Sequence, residues 1–308
     1  MQQCRPYYLF CLCLSLWLCS SCTSSREAGS RPPKIVVTTG ILGDAVRQIV
    51  GDSMQVVSLM GPGVDPHLYK ASLGDLEQLM DADLVLYQGL HLEGKMSEVL
   101  EKLGRTCRVY AVADELPIGA ILYPPIGGDF PDPHIWFDVR LWKQAVERAD
   151  QLLKQTFPDK QAYFEVRTKH YLQSLDSLDQ WVGEQIQEIP KAHRILITSH
   201  DAFRYFGKAY GIQVKGLQGI STQAEFGLKD ISDMVQRIVR EDIPAIFVEN
   251  SVSSKSLEAV IQGVKSRGKQ VRIGATLYTD ALGEPTTPEG SYTGMVRYNV
   301  EAIVKALK

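Results

Sequence analysis

Two short segments of this chain share one triplet, Asp65-Pro66-His67 and Asp132-Pro133-His134. A proline fixes its own φ at about −65° and offers no backbone N–H, so each triplet is a stiff turn that projects one imidazole from a defined place. Asp-Pro is ordinary turn vocabulary, and a single such triplet would be read as structural. Two of them suggest two halves of one site, because neutral imidazole is the commonest metal ligand. Two more groups join them. His200 directly follows the apolar run Arg194 to Ser199, and Asp280 follows Leu277-Tyr278-Thr279. Three imidazoles and one carboxylate make a mixed N/O set suited to a first-row divalent ion, Zn²⁺ or Mn²⁺, and Fe²⁺ would suit the same ligands.

No two of these residues are close in sequence. A zinc finger or an H-E-x-x-H helix builds its site locally, whereas this one closes only when distant parts of the chain meet. That arrangement suits a protein that captures and releases an ion. Glu249 ends the run Pro244 to Val248 and is a candidate acceptor for an imidazole N–H behind a ligand; capping the next helix is its equal alternative. His91, in Gly89-Leu90-His91-Leu92-Glu93, follows a strand end and is a lesser ligand candidate. His170 and His193 are read as solvated surface residues.

The elements that must position these side chains alternate regularly. Lys34 to Thr39 is a β-branched run, and Ile41 to Val50 has helical periodicity. Gln55 to Met60 is a strand leading into the first triplet. Ser72 caps a helix through Leu79, with Asp75 as its capping-box partner. Asp83 to Tyr87 and Arg108 to Val112 are strands around a helix over Lys95 to Leu103. Val139 to Thr156 is helical. From Asp159 to Ile189 no proline intervenes, and Leu172, Leu175, Leu178 and Trp181 recur at threes, which predicts one long helix roughly 45 Å in length. The pattern then restarts. Strands are expected at Arg194 to Thr198, Ile212 to Leu217, Pro244 to Val248 and Gln270 to Ile273. Helices are expected at Asp201 to Tyr210, Gly227 to Arg240, Ser254 to Ser266 and Gly290 to Leu307. Strands alternating with helices at this spacing mean an α/β protein: two lobes, each with a mainly parallel sheet flanked by helices, joined by one long backbone helix. Ligands of such sheets bind in the crevice beyond the carboxyl ends of the strands, where the four candidates lie.

The 308 residues suffice for two domains, with lobes expected over 33–157 and 190–308 and the linking helix over 158–189. A formal charge of −3 and no Lys/Arg cluster give no footprint for nucleic acid. Arg5, the apolar run Tyr7 to Cys19 and the small residues Ser20 and Ser21 read as a signal peptide over 1–21. That run is shorter than the ~20 residues of a membrane span. Cys22 is the expected lipidation site, followed by a polar tether over 22–32. Cys4, Cys11, Cys13 and Cys19 would leave with the signal, so the mature chain retains only Cys107 besides the lipidated residue and has no disulfide framework. Cys107 is read as opening an apolar strand and as an inert core thiol.

The residues quoted so far, with their neighbours, resemble a known family. The motifs are Met60-Gly61-Pro62-Gly63-Val64-Asp65-Pro66-His67-Leu68-Tyr69, Tyr87 to Glu93, Asp132-Pro133-His134-Ile135-Trp136-Phe137-Asp138, Ser199-His200-Asp201-Ala202-Phe203, Gly216 to Thr222, and Pro244 to Glu249. They resemble the TroA-like metal-binding lipoproteins of bacterial ABC importers for manganese and zinc, over essentially the whole mature chain. The resemblance implies two α/β lobes, a rigid backbone helix, and a metal between the lobes held by His67, His134, His200 and Asp280. It also implies a lipid-anchored, extracytoplasmic, monomeric protein, not an enzyme, which delivers its ion to an ABC permease and that permease's ATPase subunit. Many manganese-selective members have glutamate where His200 stands. Zinc-specific members often carry a His-rich loop before the second triplet, and Pro117 to Pro133 has no histidine. The three-His-plus-Asp pattern resembles the treponemal branch and leaves both ions open. A metal-dependent hydrolase and a surface adhesin of the same fold are the alternatives. Ligand imidazoles must be deprotonated, so affinity is expected to fall below about pH 6.

Overall fold

The computed structural model describes residues 31–124, 130–223 and 226–308, and Pro32 to Lys308 form one compact unit. The expected signal peptide, Cys22 and most of the tether lie outside the described residues. Among the described residues no helix is long and apolar enough to cross a membrane.

The first half is a four-stranded, all-parallel sheet built from β1 (Lys34–Val37), β2 (Gln55–Ser58), β3 (Leu84–Tyr87) and β4 (Val109–Ala111), in the order β2-β1-β3-β4. Side chains alternate across a strand, so each one feeds two cores. Ile35, Val37, Leu84 and Leu86 enter the main core, while Val36 and Val85 enter a smaller one under α2 (Leu73–Met80) and α3 (Ser97–Leu103). The helix α1 (Gly40–Val50) starts at Thr39, whose hydroxyl accepts from Leu42 N. Ser72 and Asp75 form the expected capping box at α2.

The second half repeats the βα alternation. β5 (Ile195–His200) pairs in parallel with β6 (Gln213–Gln218), β7 (Ala245–Glu249) pairs with β8 (Arg272–Leu277), and β5 runs alongside β7. The same alternation holds. Leu196, Ala245 and Phe247 face the main core, and Ile197, Ile246 and Val248 pack with α7 (Leu228–Glu241) and α8 (Lys255–Ser266). The remaining helices are α4 (Val139–Thr156), α5 (Gln161–Gln187), α6 (Arg204–Tyr210) and α9 (Tyr292–Leu307).

The spine is α5. Its buried face is Phe164, Thr168, Tyr171, Leu175, Leu178, Val182 and Ile186, a spacing of threes and fours along one stripe. Leu172 and Trp181, expected on that stripe, are half-buried at its edge, because a helix of 3.6 residues per turn drifts away from strict threes. At 27 residues α5 is about 40 Å long. It packs against α1 and α4 of the first half and α6 and α9 of the second, so both halves lean on one rigid element.

Several expected boundaries move, and three of the shifts concern the strands of the second half that lead to the site. β5 extends through His200, and β7 includes Glu249, so both groups are strand termini held by ladder bonds. β8 covers Arg272–Leu277 rather than Gln270 to Ile273, with a register shift against β7. Cys107 lies outside β4 and is half-buried, so it is neither a strand residue nor a fully enclosed core thiol.

Candidate metal centre

The four residues singled out by sequence come together. His67, His134, His200 and Asp280 each offer one ligand atom, and these atoms lie within 4.8 Å of one another. All four are buried, none more than 2% exposed. His67 belongs to the connection between β2 and α2, and His134 to the turn before α4. His200 ends β5, and Asp280 lies three residues beyond β8.

Their spacing fits an ion. His134 Nε2 is the shared vertex, 3.3 Å from His67 Nε2, 3.2 Å from His200 Nε2 and 3.3 Å from Asp280 Oδ1. His200 Nε2 is 3.4 Å from Asp280 Oδ2. Four donors arranged tetrahedrally at about 2.0–2.1 Å from a zinc-sized ion are separated by edges of about 3.3 Å. Asp280 Oδ1 is buried with no hydrogen-bond donor aligned on it among the described residues. An orphaned carboxylate oxygen is costly unless something cationic completes it.

The far nitrogens are also placed. His134 Nδ1 lies 2.8 Å from Asp132 Oδ1, and the same oxygen accepts from His134 N at 3.1 Å. His200 Nδ1 donates to Glu249 Oε2, and Glu249 Oε1 accepts from His200 N at 2.9 Å. A carboxylate on Nδ1–H fixes the tautomer that leaves Nε2 bare for a cation. Glu249 therefore grips the imidazole and does not cap α8, whose N-cap position is Ser254, without a side-chain capping bond. In the first triplet, among the described residues, Asp65 Oδ1 accepts from His67 N at 2.9 Å and not from the ring, and its other oxygen accepts from Thr222 Oγ1 at 2.7 Å.

Electrostatics follow from these neighbours. Burial opposes protonation of all three imidazoles. At His67 it wins, lowering the pKa to about 3. At His134 burial is outweighed by Asp132 and Asp280, and the pKa is raised. At His200 it is outweighed by Glu249 and Asp280, and the pKa lies well above the ordinary value. Burial would raise the Asp280 carboxyl, but His200 and His134 hold it well below the ordinary range.

Several contacts were not legible in the sequence. Gln88 Nε2 donates to Pro133 O at 3.4 Å, bracing the second triplet from the end of β3. Glu93 is buried at the carboxyl ends of β1 and β3, accepting from Thr38 Oγ1, Gln88 N and Gly89 N. To reach it the chain runs through Gly89, Leu90 and His91, all with positive φ. Two of those are not glycine, so the turn is strained and the Glu93 bonds hold it. His91 itself is outside the four-residue group, exposed and stacked on Phe130 at 3.7 Å. His170 and His193 are exposed. The Asp-x-His spacing was a visible signal for Asp132; Gln88 and Glu93 lie in the motif Tyr87 to Glu93, but nothing in it showed which groups they would bond.

The family model described as "zinc-uptake complex component A periplasmic" (ZnuA) matches residues 35–306. The chain belongs to this family. Among ZnuA-family relatives, the manganese-binding lipoprotein MntA of Bacillus subtilis is 46% identical over 285 residues, covering 92% of this chain and 93% of that protein. The zinc-binding protein TroA of Treponema pallidum is 44% identical over 284 residues, covering 92% of each. The solved structure of the periplasmic zinc-binding protein TroA from T. pallidum superposes with a TM-score of 0.87 at 45% identity, covering 89% of this chain and 99% of that one. The fold of two parallel α/β halves on a long helix is thus that of a ZnuA-family protein.

Proposed function

We propose that this chain is the extracytoplasmic solute-binding component of an ABC importer, capturing one Zn²⁺ or Mn²⁺ and delivering it to a permease driven by an ATPase subunit. One observation carries the reading. Four buried donors from separate parts of the chain converge within 4.8 Å of one another, with His134 Nε2 3.2–3.3 Å from the other three. His67, His134, His200 and Asp280 are the proposed ligands. Asp132 and Glu249 hold Nδ1–H of His134 and His200, so that Nε2 faces the ion. The names of the manganese-binding and zinc-binding relatives support the two candidate ions.

In this reading residues 1–21 are a signal peptide, Cys22 carries lipid and 22–32 are a tether. Lobes over 33–157 and 190–308 meet on the linking helix 158–189, and the protein acts as a monomer at the outer face of the membrane. Cross-links between the halves hold them closed. Trp136 Nε1 donates to Thr279 O at 3.0 Å, and Tyr292 Oη donates to Trp136 O at 2.8 Å. With α5 packed on both halves, closure is a small movement, and release requires the permease to part the halves. Four protein ligands leave no open position of the kind a catalytic zinc keeps for water, which favours transport over hydrolysis.

Uptake of labelled Mn²⁺ and Zn²⁺ tests the proposal in a strain lacking the gene for this chain. Restoration by wild type but not by His134→Ala is expected. Uptake equal with both, or with neither, contradicts it.

A further inference from the structure

We infer that the segment 218–223, which leaves β6, is a clasp that keeps His67 on the captured ion, and that His67 is the ligand that leaves first on release. The inference rests on the capture reading above and goes beyond it, by assigning positioning roles to Thr222 and Gln223 and an order to ligand departure.

The backbone of His67 is held at both ends from the opposite half of the molecule. Gln223 Nε2 donates to His67 O at 2.8 Å. Thr222 Oγ1 donates to Asp65 Oδ2 at 2.7 Å, and Asp65 Oδ1 accepts from His67 N at 2.9 Å. At its root the segment is tied to the neighbour of another ligand, since Asp201 N donates to Gly219 O at 3.2 Å, one residue past His200. Six residues therefore join the His200 strand end to the His67 turn, spanning the two halves beside the ion site.

The ring of His67 lacks the support the other two have. His134 and His200 each carry a carboxylate on Nδ1. Among the described residues no carboxylate lies on the ring of His67: the ring meets the imidazoles of His134 and His200, and its hydrogen bonds to Asp65 and Gln223 are through the backbone. Asp65 occupies the same triplet position as Asp132, but its second oxygen is spent on Thr222. An imidazole without a carboxylate behind it is a weaker and less rigid ligand. Its retention then depends on where its backbone is held, and the clasp supplies that. As the halves begin to part, the Thr222 and Gln223 bonds break and His67 withdraws first, while Trp136, bonded to Thr279 O and Tyr292 Oη, still holds the His134 turn against His200 and Asp280.

The test uses purified full-length protein loaded with Co²⁺, with dissociation followed by stopped-flow transfer to a chromophoric chelator. Removing a hydrogen bond to a carboxylate or a carbonyl at the site is expected to speed Co²⁺ loss about tenfold in Thr222→Val and in Gln223→Met. Association is expected to stay within about twofold, and the bound Co²⁺ visible spectrum to keep its wild-type bands, because all four ligands remain. Thr222→Ser restores the hydroxyl and should restore the slow rate. In a double-mutant cycle the Thr222→Val effect should vanish on a His67→Ala background. If that background binds too weakly to read, the Thr222→Ser and Thr222→Val pair decides alone. Unchanged dissociation in Thr222→Val and Gln223→Met, equal acceleration by Thr222→Ser and Thr222→Val, or persistence of the effect without His67 would each overturn the clasp. A wild type that takes up no Co²⁺ would instead overturn the capture reading, and the clasp with it.

Discussion

Asp132 and Glu249 orient the rings of two proposed ligands. Each grips both the backbone N–H and the Nδ1 of one proposed ligand, so truncation frees the imidazole to rotate. Partners of this kind are worth about 10–100-fold in metal affinity, and Asp132→Ala and Glu249→Ala are expected to lose that much in a competition titration with a chromophoric chelator. Affinities equal to wild type would show that neither carboxylate orients its ring. An ion must displace any proton on its ligands, so apparent affinity falls as pH falls. His67 is neutral down to a pH of about 3 and contributes nothing to that fall near neutrality. His134 and His200 have raised pKa values and keep their protons to higher pH than a free imidazole, so the fall begins above the ordinary value of 6.5. Calorimetry between neutral and acidic pH checks this, and a flat Kd contradicts it. The four candidate ligands were legible because each sits where a strand or a proline-stiffened turn ends. The roles of Thr222, Gln223 and Gln88 were not, because their partners lie in distant segments: Thr222 and Gln88 fall in quoted motifs, but a motif does not show which group each one bonds.

Elements show the same divide. Val139 to Thr156 was read to the residue, since Asp138 caps it and Phe157-Pro158 stops it. The long helix was legible from the lack of proline, but its buried stripe follows the 3.6-residue turn and not the visible leucine triplets. β8 was misplaced because its alternation is broken by a register shift and by Gly274, whose absent side chain leaves room for Phe247. Gly216 in β6 offers the sharpest element-scale test. A Cβ there would lie 2.3 Å from Asp201 N and 2.3 Å from His200 C, both backbone atoms on the neighbouring strand end. Gly216→Ala must therefore displace the strand terminus that carries His200. The expected result is a loss of about 3 kcal/mol in stability together with weaker metal binding, read by chemical denaturation and by chelator competition. Wild-type behaviour in both would mean that β5 does not fix His200.

For the whole molecule, closure and binding are one equilibrium. The proposed site takes His67 and His134 from the first half and His200 and Asp280 from the second, so an ion bound there would favour the closed folded form over any state with the halves apart. Ligand at 100 times its Kd adds about 2.7 kcal/mol to folding stability, which is several degrees in Tm for a chain of this size. Zinc should therefore raise the Tm of wild type and leave that of His134→Ala nearly unmoved, and equal shifts would point to binding elsewhere. The overall architecture was legible from the alternation of strands and helices on either side of one long helix. The closed relation of the halves was not, because it rests on single bonds such as Trp136 to Thr279 that join residues far apart in the chain.

The most direct test of the central claim is the metal content of the purified protein by elemental analysis, wild type beside His200→Ala. The account predicts one equivalent of zinc or manganese in wild type, lost in the variant. No metal in the wild type and none taken up on titration, or an equal content in both proteins, would contradict it.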